Sequence, residues 1–344
     1  MNRLSSWMTV LVLLAPPVAA DALKKDRIPA GARWLAHLDV EAMRGSRMFA
    51  LVREESAKDG SDEMEEGLVE IRAFAGLDPT QDFQSVTLYS ASRSEEGCVA
   101  LLAGDSKIDS ALENLKALEN YRTTPAQGYT LHTWGDDGDT WYAYVHRAEG
   151  SEERVVVASQ DTAEVVRAIS VLERRGESLA QAAGPMIRAA PAVGSILFAA
   201  AGEGLDELGE IEPVSAVAKL AKAIVLDVGE ARGALNARVS IDTRTPEDAQ
   251  RIHQVLQGAV ALVGLAGGDG QDEAGAKLQR LVEGLRFSVS NTRVDAVFRY
   301  DLEELLEDLR SLDEMDHGDA QSREGHEKGH RARKHRGDRE DDDE

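Results

Sequence analysis

Cysteine is almost missing from this chain. Cys98 stands alone among 344 residues, so an internal disulfide is excluded and stability has to come from packed cores. Positive charge is in deficit: 39 Lys and Arg face 62 Asp and Glu, a formal net charge of -23. A field of that sign repels nucleic acid and anionic membrane surfaces, which argues against a phosphate-backbone partner. After residue 20 no apolar run approaches the roughly 20 consecutive residues that a transmembrane helix requires. Recognisable catalytic signatures are missing too. There is no Walker pattern, no Gly-x-Ser-x-Gly elbow and no Ser-x-x-Lys. Ala201-Gly202-Glu203-Gly204 opens like a dinucleotide turn, but Glu207 stands where the third glycine belongs and its acidic neighbours repel a pyrophosphate.

What is there begins with a processing signal. Arg3, the apolar stretch Trp7 to Ala15 and the small residues Val18-Ala19-Ala20 predict a cleavable signal peptide over residues 1–20. The expected location is therefore outside the cytoplasm, periplasmic or secreted. At the other end, residues 313–344 carry mainly Asp, Glu, Gly, His, Arg and Lys with no apolar residue larger than alanine after Met315, so they are expected to be a disordered tail. His317, His326, His330 and His335 lie in it. His326 and His330 have the spacing of a helical metal site, but Gly325 and Gly329 oppose the helix, leaving an expectation of weak transition-metal binding.

Between these ends one design recurs. In Arg232 to Val263, Leu235, Ala237, Val239 and Ile241 alternate with polar residues as in a half-buried strand. Thr245, Pro246 and Asp248 then open a helix whose stripe is Ala249, Ile252, Leu256, Ala259, Val260 and Val263. The same strand, polar turn and helix can be read at Trp34–Phe49, Val99–Leu118, Val155–Leu172 and Val294–Leu309, with Asp39, Asp105, Asp161 and Asp301 at the junctions. Added to hairpin patterns, this predicts an α+β fold of two similar halves, residues 21–176 and 193–312, joined by a linker over 177–192. Each half is expected to be a mainly antiparallel sheet with helices packed on one face.

Individual residues give several candidates. Cys98 begins an apolar strand and reads as a buried, inert thiol. His37 and Asp39 lie two apart on the polar side of a strand, where they form either an oriented general base or a surface pair; with no nucleophile in sight the surface pair is preferred. His253 is read in the same way. The Asp-rich loops at Asp136–Thr140 and Gly267–Glu273 miss the calcium-loop pattern and read as turns. The hairpin Tyr129–His146 is more informative. If Trp134 pairs with Trp141, then Tyr129, Leu131, Tyr142, Tyr144 and His146 share one face and His132, Trp134 and Trp141 the other. Trp134, Trp141, Tyr142 and Tyr144 thus become the candidate interaction surface, unless helix and partner half cover both faces.

The signal, the strand Trp34–Val40, Gly76-Leu77-Asp78-Pro79 with Asp82, and the two halves together resemble uncharacterised exported proteins of planctomycete-type bacteria. That resemblance implies duplicated α+β repeats and no established activity, and it transfers no site residues. The expected function is that of an exported, non-enzymatic module binding a protein or glycan of the cell envelope, with no cofactor. An enzyme with a site assembled from distant residues between the halves, and metal binding by the tail, are the alternatives.

Overall fold

The computed structural model describes residues 23–59, 69, 72–73, 76–91, 97–135, 140–183, 186, 191–192, 194–202, 214–266 and 273–308. The expected signal and the tail with His317, His326, His330 and His335 lie outside the described residues.

The strand-to-helix junctions repeat one local device. Strand β1 (Trp34–Asp39) ends on Asp39, whose Oδ1 accepts from the Ala42 amide at 2.7 Å and caps α1 (Val40–Arg44). Asp105 accepts from Lys107 N at 2.8 Å between β3 (Cys98–Gly104) and α4 (Lys107–Lys116). Asp161 accepts from Ala163 N at 2.7 Å between β7 (Arg154–Ser159) and α5 (Thr162–Leu172). Asp301 accepts from Glu303 N and Glu304 N at the end of β12 (Arg293–Asp301), opening a short helix, α9, over residues 302–308. A short acidic side chain satisfies first-turn amides that have no helical partner and sits at the positive end of the helix dipole.

The remaining elements are α2 (Arg47–Asp59), α3 (Pro79–Asp82), β2 (Phe83–Ser90), β4 (Arg122–Ala126), β5 (Tyr129–Trp134), β6 (Trp141–Arg147), β8 (Ser195–Ala201), α6 (Val214–Leu220), β9 (Ala221–Ala231), β10 (Ala234–Thr243), α7 (Pro246–Ala266), α8 (Glu273–Glu283) and β11 (Leu285–Ser290). The fold is α+β, with a large antiparallel sheet. All twelve strands join one sheet, in the order β11-β12-β10-β9-β8-β1-β2-β3-β7-β6-β5-β4. The two expected sheets are thus joined edge to edge through β1 and β8, where Leu35 faces Ala200 and His37 faces Phe198. From that seam the strands run β8-β9-β10-β12-β11 to one side and β1-β2-β3-β7-β6-β5-β4 to the other.

Helices lie on both faces of this sheet rather than on one. The face carrying Leu35 also carries Tyr89, Val99, Leu101, Val155 and Val157, all buried under Val165, Ala168 and Ile169 of α5. Leu23, Ile28 and Ala32 of the N-terminal segment and Leu179 complete that core. Residues 177–182, at the start of the predicted linker, are tied to this segment: Leu179 N donates to Ile28 O and Ala30 N to Glu177 O. On the opposite, Trp34-bearing face, Ile241 packs with Ala218, Ala249 and Ile252 of α6 and α7 in a second core. Burial from both sides overturns the surface reading of His37 and Asp39, which are 5% and 1% exposed.

The chain divides into two compact units, residues 1–257 with 285–299 and residues 258–284 with 300–344. Within the second, Asp308 is buried and takes hydrogen bonds from Arg280 and, at 2.6 Å, from the Tyr300 hydroxyl, which ties α8 to α9. The predicted stripe of α7 holds at Ala249 and Ile252, which are fully buried, but Val263 at its far end is exposed together with Leu262 and Leu265.

Candidate functional site

Hairpin β5–β6 forms in the predicted register. Trp134 lies directly opposite Trp141, and Thr133 opposite Tyr142. Both indoles are half-buried. They share the Trp34-bearing face with His132, whose Nδ1 is hydrogen bonded to the Tyr121 hydroxyl at 2.7 Å with the two rings stacked 5.9 Å apart. Burial lowers the His132 pKa, helped by the positive charges of Lys116 and Arg147, so the ring is neutral near pH 7. Further along this face Arg147 and Arg154 oppose one another across β6 and β7. Asp109 of α4 bridges them at 2.7 and 3.0 Å, relieving a like-charge pair that would otherwise weaken the strands.

Tyr142 and Tyr144 point to the other face, as the alternation predicts, and pack against the larger core. Tyr144 meets Tyr129 edge-to-face at 5.6 Å, and the Tyr129 hydroxyl donates to Glu173 at 2.6 Å. The four aromatic candidates therefore separate into a half-buried Trp pair on one face and two Tyr that help close the core on the other.

On this second face lies a cavity of about 20 Å³ lined by Lys24, Arg27, His37, Ser85, Thr87, Leu101, Ala103 and Val155. Its polar floor comes from β1 and β2: the His37 imidazole and the Thr87 hydroxyl are hydrogen bonded at 2.8 Å, beside Ser85. Lys24 and Arg27, at the 3-10 turn Lys25–Arg27, supply the cationic side. Both also hold Glu153, with Lys24 Nζ and Arg27 Nη1 each 3.0 Å from Oε1 and Arg27 Nη2 2.5 Å from Oε2. Burial raises the Glu153 pKa, but the hydrogen bonds from Arg27 and Lys24 outweigh it and hold the group below the usual carboxylate range.

No family model matches this chain, and no curated protein does. Among solved structures it is similar to TP0453, a Treponema protein, at 10% identity. Crystal form III covers 83% of this chain and 97% of that one with a TM-score of 0.44. Crystal form IV covers 83% and 95% with a TM-score of 0.45. At that identity and overlap nothing about function passes from TP0453 to this chain.

Among the described residues no group of three or more His, Cys, Asp or Glu side chains is placed to hold a metal ion, and no helix is long and apolar enough to cross a membrane. Burial pushes the Cys98 thiol up to about 11, as befits a thiol that stays protonated. His253 packs its ring edge-on against Phe287 at 6.5 Å. Most of both Asp-rich loops, and Glu203 to Glu207, fall outside the described residues. Sequence reading missed the cavity, although the signal was present: His37, Ser85 and Thr87 occupy positions whose strand neighbours on the same side, Leu35 and Tyr89, are core.

Proposed function

We propose that the protein is exported and works as a non-enzymatic interaction module, with the Trp134–Trp141 pair as its contact surface for a glycan or protein of the cell envelope. The observation that carries this reading is the cross-strand pair itself. Two indoles at directly opposite positions, half-buried on one face, leave exposed ring surface on which a sugar ring or a partner's apolar side chain can stack. His132 and Tyr121 beside it add polar edges for hydrogen bonding. The cavity on the other face has room for water-sized groups only, which favours binding over turnover of a substrate. Export rests on the pattern Arg3, Trp7 to Ala15 and Ala20.

The test is a fluorescence titration of the full chain and of a Trp134→Ala/Trp141→Ala variant with cell-wall oligosaccharides, alongside capture of envelope proteins on the same two baits. Saturable quenching or a captured partner that the folded double variant loses supports the module. Equal behaviour of the two chains refutes the surface. So does a variant that loses more than about 4 kcal/mol of stability while the native chain binds nothing, because that cost marks a pair serving only as core.

A further inference from the structure

The chain is strongly acidic, yet one sheet face near its outer end is basic. Ser240 belongs to the Leu35-bearing face, through Ala200 and Val225, and its hydroxyl donates to Asp295 Oδ1 at 2.5 Å. Alternation puts Arg238 of β10, Arg293 and Arg299 of β12 and Arg286 of β11 on that same face, all of them exposed. Arg286 lies directly opposite Val297. The Ser240–Asp295 bond and the bond from Thr243 N to Thr292 O belong to one antiparallel register, which sets Arg238 level with Val297 on its other side. Of the carboxylates on this face, Asp295 is held by Arg293 at 3.1 Å, Asp227 is buried and accepts from Ala192 N, and Asp242 lies level with Arg293. The surface around Val297 therefore stays positive.

Strand β11 also leaves main-chain groups open. It is the last strand of the sheet, and its two-residue turn to β12, Asn291-Thr292, fixes Ser290, Ser288 and Arg286 as the residues bonded across the hairpin. The amides and carbonyls of Phe287 and Val289 thus point away from the sheet, and among the described residues no backbone hydrogen bond crosses this edge. Neither proline nor bulge blunts it. Arg286 leans toward it, its Nη1 donating to Leu285 O at 2.8 Å. On the other face Phe287 packs against His253 and Val289 on the second core, both half-buried. We propose that β11 receives an extended acidic segment of a partner protein as a further strand. Its carboxylates pair with Arg286 and come within reach of Arg299, while its alternate apolar side chains lie beside Phe287 and Val289.

Charge decides between occupants. A second copy would bring the same arginines and the same net charge of -23 to this edge, whereas a short acidic strand on an otherwise neutral or basic partner is drawn to it. This surface lies on the opposite face of the sheet from the Trp pair, and the two assignments stand or fall separately.

The probe is a fluorescein-labelled peptide alternating glutamate and valine, titrated by anisotropy into full-length protein. One control peptide has lysine for glutamate, and another has proline for valine, which keeps the charge but cannot form a ladder. The Glu-Val peptide should bind saturably, at least tenfold tighter than either control, and slow hydrogen exchange at the Phe287 and Val289 amides at least tenfold. Arg286→Glu/Arg299→Glu, at exposed positions, should weaken binding at least tenfold, with thermal unfolding confirming that the variant folds. Absence of saturable binding, equal binding of the proline peptide, or unchanged binding by the variant overturns the proposal. So does sedimentation showing a dimer in which those two amides are already protected, because the edge then belongs to a second copy.

Discussion

Replacing Tyr89 by phenylalanine should stabilise this protein, against the usual direction of that change. Tyr89 is 0% exposed in the larger core, and its hydroxyl has no hydrogen-bond partner among the described residues. Burial, reinforced by the negative charge of Glu164, raises its pKa far above the usual value, so the hydroxyl is protonated at neutral pH. Glu164 spends Oε1 on Arg167 at 2.6 Å, and its Oε2 is likewise buried without a partner. A buried donor left unsatisfied costs about 1–3 kcal/mol in lost hydration. Phenylalanine keeps the ring and its contacts and removes that penalty, at the expense of a void the size of one oxygen. The net gain should be about 1 kcal/mol, equivalent to a rise in Tm of about 2–4 °C for a unit of this size. Urea unfolding should show a higher midpoint with an unchanged slope. A double-mutant cycle with Glu164→Gln should return a coupling below about 0.5 kcal/mol. Destabilisation by 1 kcal/mol or more, with larger coupling, refutes the reasoning: it means that the hydroxyl is satisfied, by Glu164 or by an ordered water.

Three further outcomes follow from the geometry. Asp161→Ala should cost about 1 kcal/mol in chemical denaturation, and Asp161→Asn much less, because the cap on Ala163 N needs a side-chain oxygen and not a charge. Gly229→Ala should cost about 2 kcal/mol or more: a Cβ there meets the Gly194 carbonyl oxygen at 2.3 Å, and a backbone neighbour cannot swing aside. Faster amide exchange in β8 and β9 is the check. Asp308 sets an acid limit. Burial raises its pKa, but the hydrogen bonds from Arg280 and Tyr300 outweigh it and hold it below the ordinary 3.8. A depressed folded pKa contributes stability that is present above the unfolded value and lost as pH falls through the folded one. Native protein should therefore weaken below about pH 4, while Asp308→Asn starts less stable at neutral pH and shows a flatter acid limb. An unchanged acid limb in that variant counts against the assignment.

Local rules were legible in the sequence wherever one residue does one job. Asp39, Asp161 and Asp301 cap their helices, Thr245 Oγ1 accepts from Asp248 N at 3.1 Å, and Gly76 ends its helical stretch at φ +68°. The Trp134–Trp141 register follows from turn position and alternation alone. Strand β4 was missed. Pro125 disguises it, and its hairpin to β5 closes through Gln127 and Gly128, both at positive φ, a tight turn in which glutamine is an uncommon occupant. The pattern put His37 and Asp39 on the polar side of β1, yet the structure buries Leu35 and His37 more deeply than Trp34. What covers that side, besides α5, is the N-terminal segment and residues 177–182, irregular stretches with no periodicity to read. The cavity is hidden for the same reason, since Lys24 and Arg27 reach it from one of those stretches.

The seam between β1 and β8 also governs when the protein can finish folding. Strands β2 and β3 form a hairpin and β1 pairs with β2 across the intervening helices, so these three can join once Gly104 has been made, but the other side of β1 waits for Ser195–Ala201. Such a distant pairing raises contact order and slows the closing step. In that interval Trp34–Asp39 offers an open edge without the proline that blunts β4 at the sheet's outer end. A chain halted before β8 is thus a template for strand-to-strand association, and the centre of the sheet, its best-protected region once complete, is its most exposed region during synthesis.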